Sequence, residues 1–394
     1  MVAMSWQQAR RIAADMDPAP VQRVGLVSAL GAVLAQPVAA LADLPPVPSA
    51  ATSGWAVCGI GPWSIVTDPG SGPLLDGCAV RIAEGAPVPE GTLGVLADKY
   101  ALVESEETVL IGDHGRPAPR PGMLKPGYGI TGAGDTAPAG QILLKPGETV
   151  TAGTVTLAAA AGVDELTVIP PANVAPILLK SDLLPTGPPR RGKDRDVVAP
   201  LIPTWVMGAG GRCLPEQAAD DDPESLTRTI DSTGCDLTVV SGGRNPGVAQ
   251  VIPEMLRRLK AEILIDSVAL QPGHQVLLAE LRDGRRILAL PREPAAAVVS
   301  LALLLHPMMA AVSSQTGSRW PTVMLREDLQ SREADAAIPV AVERGELADL
   351  AVAQMWHGPH GLAALAGADG IAFVDRDKGR RGDSVPLVAL PGKP

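Results

Sequence analysis

Between residues 173 and 312 short apolar runs alternate with segments of helical spacing, and this constrains the fold more than any other feature. V-A-P-I-L-L (174–179), C-D-L-T-V-V-S-G-G (235–243), V-L-L-A-E-L (276–281) and R-I-L-A-L-P (286–291) read as strands. D-D-P-E-S-L (221–226) and P-E-M-L-R-R-L (253–259) open or carry helices between them. Connections that carry helices predict parallel strands, hence a doubly wound α/β sheet. The breaker-rich P-P-R-R-G-K-D-R-D (188–196) is read as a solvated loop inside this domain.

The run Ala295–Val312 is nearly apolar for its whole length, interrupted by His306 and Pro307. A spanning helix needs ~20 apolar residues and interfacial anchors, so a helix buried against the sheet is expected, with no membrane insertion.

Outside this domain the text changes. Residues 5–42 read as two helices, the first capped by Ser5 and the second spanning V-Q-R-V-G-L-V-S-A-L-G-A-V-L-A (21–35). From 43 to 140 short β-like runs are separated by Gly and Pro, which predicts a β-rich insert. Residues 141–172 return to a strand-and-helix pattern, so 1–42 and 141–172 form one discontinuous linker domain. The sheet domain covers 173–312, and V-M-L, I-P-V-A-V, I-A-F-V and V-P-L-V-A-L make a C-terminal β domain over 313–394. At 394 residues, three or four modules of ~100–150 residues are the natural division.

With one Phe, two Tyr and six Trp the chain is poorly supplied with stacking platforms, and its formal net charge of −10 repels phosphate backbones, so nucleic acid is not an expected partner. Cys58, Cys78, Cys213 and Cys235 are scattered without a C-x-x-C or a zinc spacing and read as buried or surface thiols. The N-terminus lacks the apolar core of a signal peptide, so a cytoplasmic location is expected. Asp220, Asp221 and Asp222 before Pro223 suit a helix N-terminus better than a metal site. His357 and His360 read as a surface loop without a third ligand, and R-G-D (381–383) as a turn.

Seven motifs, in order, carry a resemblance: L-P-P-x-x-x-x-A-x-x-G-W-A-V (44–57), R-I-A-E-G-A-P-V-P-E-G (81–91), D-D-P-E-S-L (221–226), D-L-T-V-V-S-G-G (236–243), V-A-L-Q-P-G (268–273), L-P-R-E-P (290–294) and G-L-A-A-L-A-G-A-D-G-I-A-F-V (361–374). Their order and spacing resemble the molybdopterin molybdotransferase family, the MoeA and gephyrin E-domain proteins. The resemblance implies an elongated, multi-domain, usually homodimeric subunit that inserts molybdate into adenylylated molybdopterin with Mg²⁺, releasing AMP. It also implies a ligand cleft between the sheet domain of one subunit and parts of the other. Carried over by position, Asp182 and Asp135 are the candidate catalytic acids. Ser241, Gly242, Gly243, Pro272 and Gly273 are the candidate cofactor contacts, with Arg292 a replacement phosphate partner.

Many charges expected from the resemblance are absent. Its two acids in the first motif fall on Pro48 and Ser53, and further acids on Lys99, Thr136, Leu183 and Val248. Its two lysines fall on Gln271 and His274, and its D-S-N is set against I-P-T (202–204). Each unpaired phosphate or metal charge costs ~1–3 kcal/mol or more in a desolvated site. The losses therefore favour a catalytically inactive scaffold or partner subunit as the alternative to a working transferase.

Overall fold

The computed structural model describes residues 3–67, 72–105, 108–111, 124–179, 183–191, 193–242, 248–314, 320–329, 334–345, 348–358 and 361–392. The chain divides into two compact units, one of Met1–Gln22, Gly31–Ala35 and Thr167–Pro394, the other of Arg23–Leu30 and Gln36–Leu166.

The chain opens with α1 (Trp6–Ala14), whose N-terminus is closed by Ser5 Oγ accepting from the Gln8 amide at 3.2 Å. The helix expected over 21–35 does not form. Strand Gln22–Gly25, a 3₁₀ turn Leu26–Ala29 and strand Val33–Leu34 take its place. β-Branched Val24, Val27 and Val33 are interspersed with Gly25 and Gly31, the latter at φ +80°, and Leu34 pairs with Val168 in a ladder. The helical spacing of the apolar residues was real, but Gly and Val weaken a helix and the ladder satisfies the same backbone groups.

In the smaller unit, six strands in the order Gly94–Ala97, Gly54–Val57, Cys78–Ile82, Trp63–Val66, Thr108–Ile111, Ala101–Ser105 form one sheet. The L-P-P…G-W-A-V motif supplies its second strand, and Gly54 is required by a close approach. A Cβ there would lie 2.1 Å from the Leu96 carbonyl oxygen. This unit also carries α2 (Ala152–Ala160), capped by Thr151.

The larger unit is built on a sheet whose centre is parallel: Asn173–Leu179, Leu237–Gly242 and Arg286–Ala289. Arg212–Cys213 and Gln217–Ala219 extend it in parallel from Asn173–Leu179. At the other edge Leu277–Glu280 and Glu262–Ile265 run antiparallel, so the sheet is mixed rather than all parallel. The cause is the short link from Leu281 to Arg285, which allows a hairpin and no crossover.

Alternation along the strands assigns each face. Val239 and Leu288 pack with Ala9 of α1, with Ile202 and Trp205 of α3 (Leu201–Gly208), and with the apolar run 297–305. Val240 and Ile287 pack on the opposite face with Leu226 and Ile230 of α4 (Pro223–Ser232) and Met255 of α5 (Val248–Leu259). Helices thus cover both faces, as a doubly wound domain requires. The apolar run is α6 (Pro294–Val312), 89% buried, a core helix by position. His306 and Pro307 do not interrupt it. Pro307 has no amide to donate, and the helix accommodates this with a π turn at Leu301–Leu305.

The exposed loop 188–196 is solvated only in part: Asp194–Arg195 pairs with Leu183–Leu184, and Asp196 is buried. Strands Thr322–Leu325, Leu350–Ala353, Ala336–Glu343, Gly370–Val374 and Ser384–Ala389 close a barrel, which leaves no unpaired edge.

Candidate functional site

In open parallel sheets, ligands bind outside the carboxyl ends of the strands. Here Leu178 and Leu179 stand opposite Ser241 and Gly242, and the Leu290 amide bonds the Val240 carbonyl at 2.9 Å. Three strand ends are thereby aligned, and a cleft opens beyond them. It is lined by Leu183, Arg195, Asp196, Ser241, Gly242 and Arg292, among others.

Ser241 is the informative residue. It is 3% exposed and its Oγ has no hydrogen-bond partner among the described residues. An unpaired buried hydroxyl costs about 1–3 kcal/mol, so a group that supplies the missing bond is favoured there. Gly242 follows at φ +99°, and a Cβ would lie 2.9 Å from the Leu179 carbonyl oxygen. Only glycine fits that backbone turn.

Two guanidiniums line the same cleft. Arg195 donates to the Leu184 carbonyl at 3.0 Å, and exposed Arg292 makes no ion pair with any described residue. Asp196 is the one carboxylate among the described lining residues. Its Oδ1 accepts the amides of Val198 and Ala199 at 2.9 and 3.0 Å, which leads the chain into α3. Glu293 places its carboxylate on the first amides of α6, accepting from Ala295 at 3.1 Å and Ala296 at 2.7 Å. The helix N-terminus that would otherwise attract an anion is thus already capped from within the chain.

Of the eight candidate residues, Ser241, Gly242 and Arg292 come together in this cleft. Asp182 and Gly243 lie outside the described residues. Pro272 and Gly273 are elsewhere: Gly273 turns at φ +121° against Val299 of α6, and Gln271 exchanges backbone bonds with the barrel segment Asp335–Ala337. Asp135 belongs to the smaller unit, where its carboxylate accepts the Gly132 amide at 2.6 Å. Ile202–Thr204, set against the D-S-N by the resemblance, fall within α3, where Ile202 is buried in the core and Thr204 is exposed, and none of them lines the cleft. The cleft positions are instead Asp196, Val197 and Val198. Asp followed by Pro200 and an apolar run was the available signal, a helix start.

Asp222 caps α4 through the Ser225 amide at 2.8 Å with Pro223 in the first turn, as the sequence predicts. Among the described residues no group of three or more His, Cys, Asp or Glu side chains could hold a metal. Exposed His357 bonds its own loop at the Met355 carbonyl, and His360 lies outside the described residues.

Residues 4–162 match the family model for the MoeA N-terminal region, domains I and II, and residues 164–311 match a probable molybdopterin binding domain. A molybdopterin molybdenumtransferase of Staphylococcus aureus is 25% identical over 316 residues, covering 76% of this chain and 73% of its own length. Molybdopterin molybdenumtransferase 2 of Mycobacterium tuberculosis is 28% identical over 328 residues, 77% and 78% of the two chains. Among solved structures, a molybdopterin biosynthesis MoeA protein from Pyrococcus horikosii superposes with a TM-score of 0.74 at 21% identity, covering 99% of this chain and all of its own. A molybdenum cofactor biosynthesis protein from Pyrococcus furiosus gives 0.55 at 14% identity over 98% of this chain and 99% of its own. These structural likenesses speak to the fold.

Proposed function

Because the chain belongs to the MoeA family and is a MoeA-like protein of molybdenum cofactor biosynthesis, we propose that its sheet-end cleft binds the phosphate-bearing part of molybdopterin or adenylylated molybdopterin. One observation carries this reading: the buried Ser241 hydroxyl, without a partner among the described residues, in a cleft that Arg195 and Arg292 also line. A phosphate oxygen accepts from a hydroxyl and from guanidinium forks at once, and such charge-assisted bonds are the strong ones. Gly242 lets the backbone approach without a side chain in the way.

Magnesium, when bound with the nucleotide, would balance phosphate charge. Asp196 is the cleft's carboxylate for it, and Mg²⁺ takes its remaining ligands from phosphates and water. The reaction served is insertion of molybdate into the dithiolene ligand, with a twofold dimer as the working assembly. Equilibrium binding of molybdopterin to the purified chain tests the proposal. Binding at micromolar protein is expected, and absence of binding to either molybdopterin form would sink it.

Two observations favour a second reading, a non-catalytic scaffold or partner subunit. Leu183 forms cleft wall where an acid is expected, and Glu293 sets a carboxylate at the head of α6. Molybdate-dependent release of AMP from adenylylated molybdopterin separates the two. Release by the pure chain supports the transferase, and binding without release supports the scaffold.

A further inference from the structure

We infer that Cys58 and Cys78 form a reversible disulfide, a redox modification site in the smaller unit that is independent of the cleft. The sequence separates them, but the sheet sets them face to face. Strand Gly54–Val57 pairs antiparallel with Cys78–Ile82 in the register Ala56↔Val80, Val57↔Ala79, and the next step brings Cys58 opposite Cys78. The Cys58 amide donates to the Cys78 carbonyl at 3.1 Å, and the Gly77 amide donates back to the Cys58 carbonyl at 3.0 Å. Gly77, at φ +77°, is the extra residue of a bulge that ends this ladder without turning the pair apart.

Both side chains leave the same face. Alternation puts Cys58 with Ala56 and Cys78 with Val80, and both cysteines pack against the cluster of Ala50, Ala56, Leu74 and Val80. Their neighbours Val57 and Ala79 belong to the cluster on the other face. Opposed residues of an antiparallel pair have Cα atoms about 4.5–5.5 Å apart, and here one direct bond, Cys58 to Cys78, holds the two strands at that spacing. Disulfides are accepted over about 4.4–6.8 Å between Cα atoms, and drawing the Cβ atoms together by about 1 Å at the bulge brings the two sulfurs into bonding range.

Both thiols are free and half-buried, beside exposed Ile60, Leu75 and Asp76, so a small reagent reaches them. Cys235 is buried by contrast, and Cys213 is held in its thiol form by burial and by Glu216. The chemistry is thiol–disulfide exchange with a small-molecule disulfide as oxidant. One cysteine thiolate attacks the reagent, forming a mixed disulfide and releasing one reagent thiol. The second thiolate attacks the mixed disulfide, forming Sγ–Sγ and releasing the other. Two protein protons are lost, the protein sulfurs are oxidised by two electrons, and the reagent disulfide is reduced to two thiols.

The test treats the native chain with oxidised glutathione, quenches with acid, and maps peptides without reduction. The expected result is a peptide pair joined through Cys58 and Cys78, with the four thiols titratable after denaturation falling to two, independent of protein concentration. A C213S/C235S chain should behave the same. C58S should instead retain one glutathione adduct on Cys78, because no resolving thiol remains. Stable glutathione adducts on both cysteines of the native chain, or a cross-link that appears only in denaturant, would overturn the inference.

Discussion

Replacing Ser241 by alanine tests the cleft and the energetics of its orphaned hydroxyl together. The Ser241 Oγ is buried without a partner among the described residues, a burden of about 1–3 kcal/mol. Alanine removes the oxygen and opens almost no cavity, because only one atom is lost from a 3%-exposed site. The ligand-free variant should therefore be more stable than the parent by about 1–2 kcal/mol. In urea, with a slope of roughly 3 kcal/mol per molar, the midpoint should rise by about half a molar with the slope unchanged. Trp205, buried in the core of the same unit, reports that transition by fluorescence. Binding should move the other way. A hydroxyl bonded to a charged phosphate contributes about 1.5–3 kcal/mol, so molybdopterin affinity should fall ~10–100-fold. A variant that is less stable than the parent and binds equally well would refute the reasoning on both counts.

Other expectations follow from individual contacts. Arg286, 3% exposed, donates to Glu280 at 2.9 Å and to the carbonyls of Ile12 and Asp15 that end α1. Arg286→Met should cost about 3–5 kcal/mol of stability in urea unfolding, because Glu280 and the helix C-terminus lose their partner together. Gly54→Ala should cost about 3 kcal/mol or more, since its Cβ meets the Leu96 carbonyl at 2.1 Å, whereas Gly153→Ala in α2, with nothing nearer than 3.7 Å, should stabilise by about 0.5–1 kcal/mol. Thermal unfolding of the two alanine variants side by side checks the contrast. Burial and the charge of Arg10 push the His306 imidazole below its ordinary value. The unfolded chain then binds the proton first, so His306 should leave stability intact above about pH 6.5 and reduce it as pH falls below that value. His306→Gln should flatten that part of a stability–pH profile.

The parallel strands, the buried α6, the Ser5 and Asp222 caps and the Ser241–Gly242 turn were legible because each is written locally. Apolar period, a cap residue and a glycine suffice to specify them. The same local rules misread 21–35, where helical spacing lost to a ladder with Val168, because strand pairing depends on a partner far along the chain. The family resemblance likewise sets the D-S-N against Ile202–Thr204, and only the path of the chain into α3 shows that Asp196 lines the cleft.

What the sequence determined by itself was the alternation of elements and the order of motifs, since both are one-dimensional patterns. Tertiary structure alone decided which polar groups meet. Ser241 is an ordinary serine in the sequence and, in the fold, a buried hydroxyl without a partner among the described residues. Cys58 and Cys78 are two scattered thiols until strand register opposes them. Their chemistry depends on distance and desolvation, and neither is a property of sequence spacing.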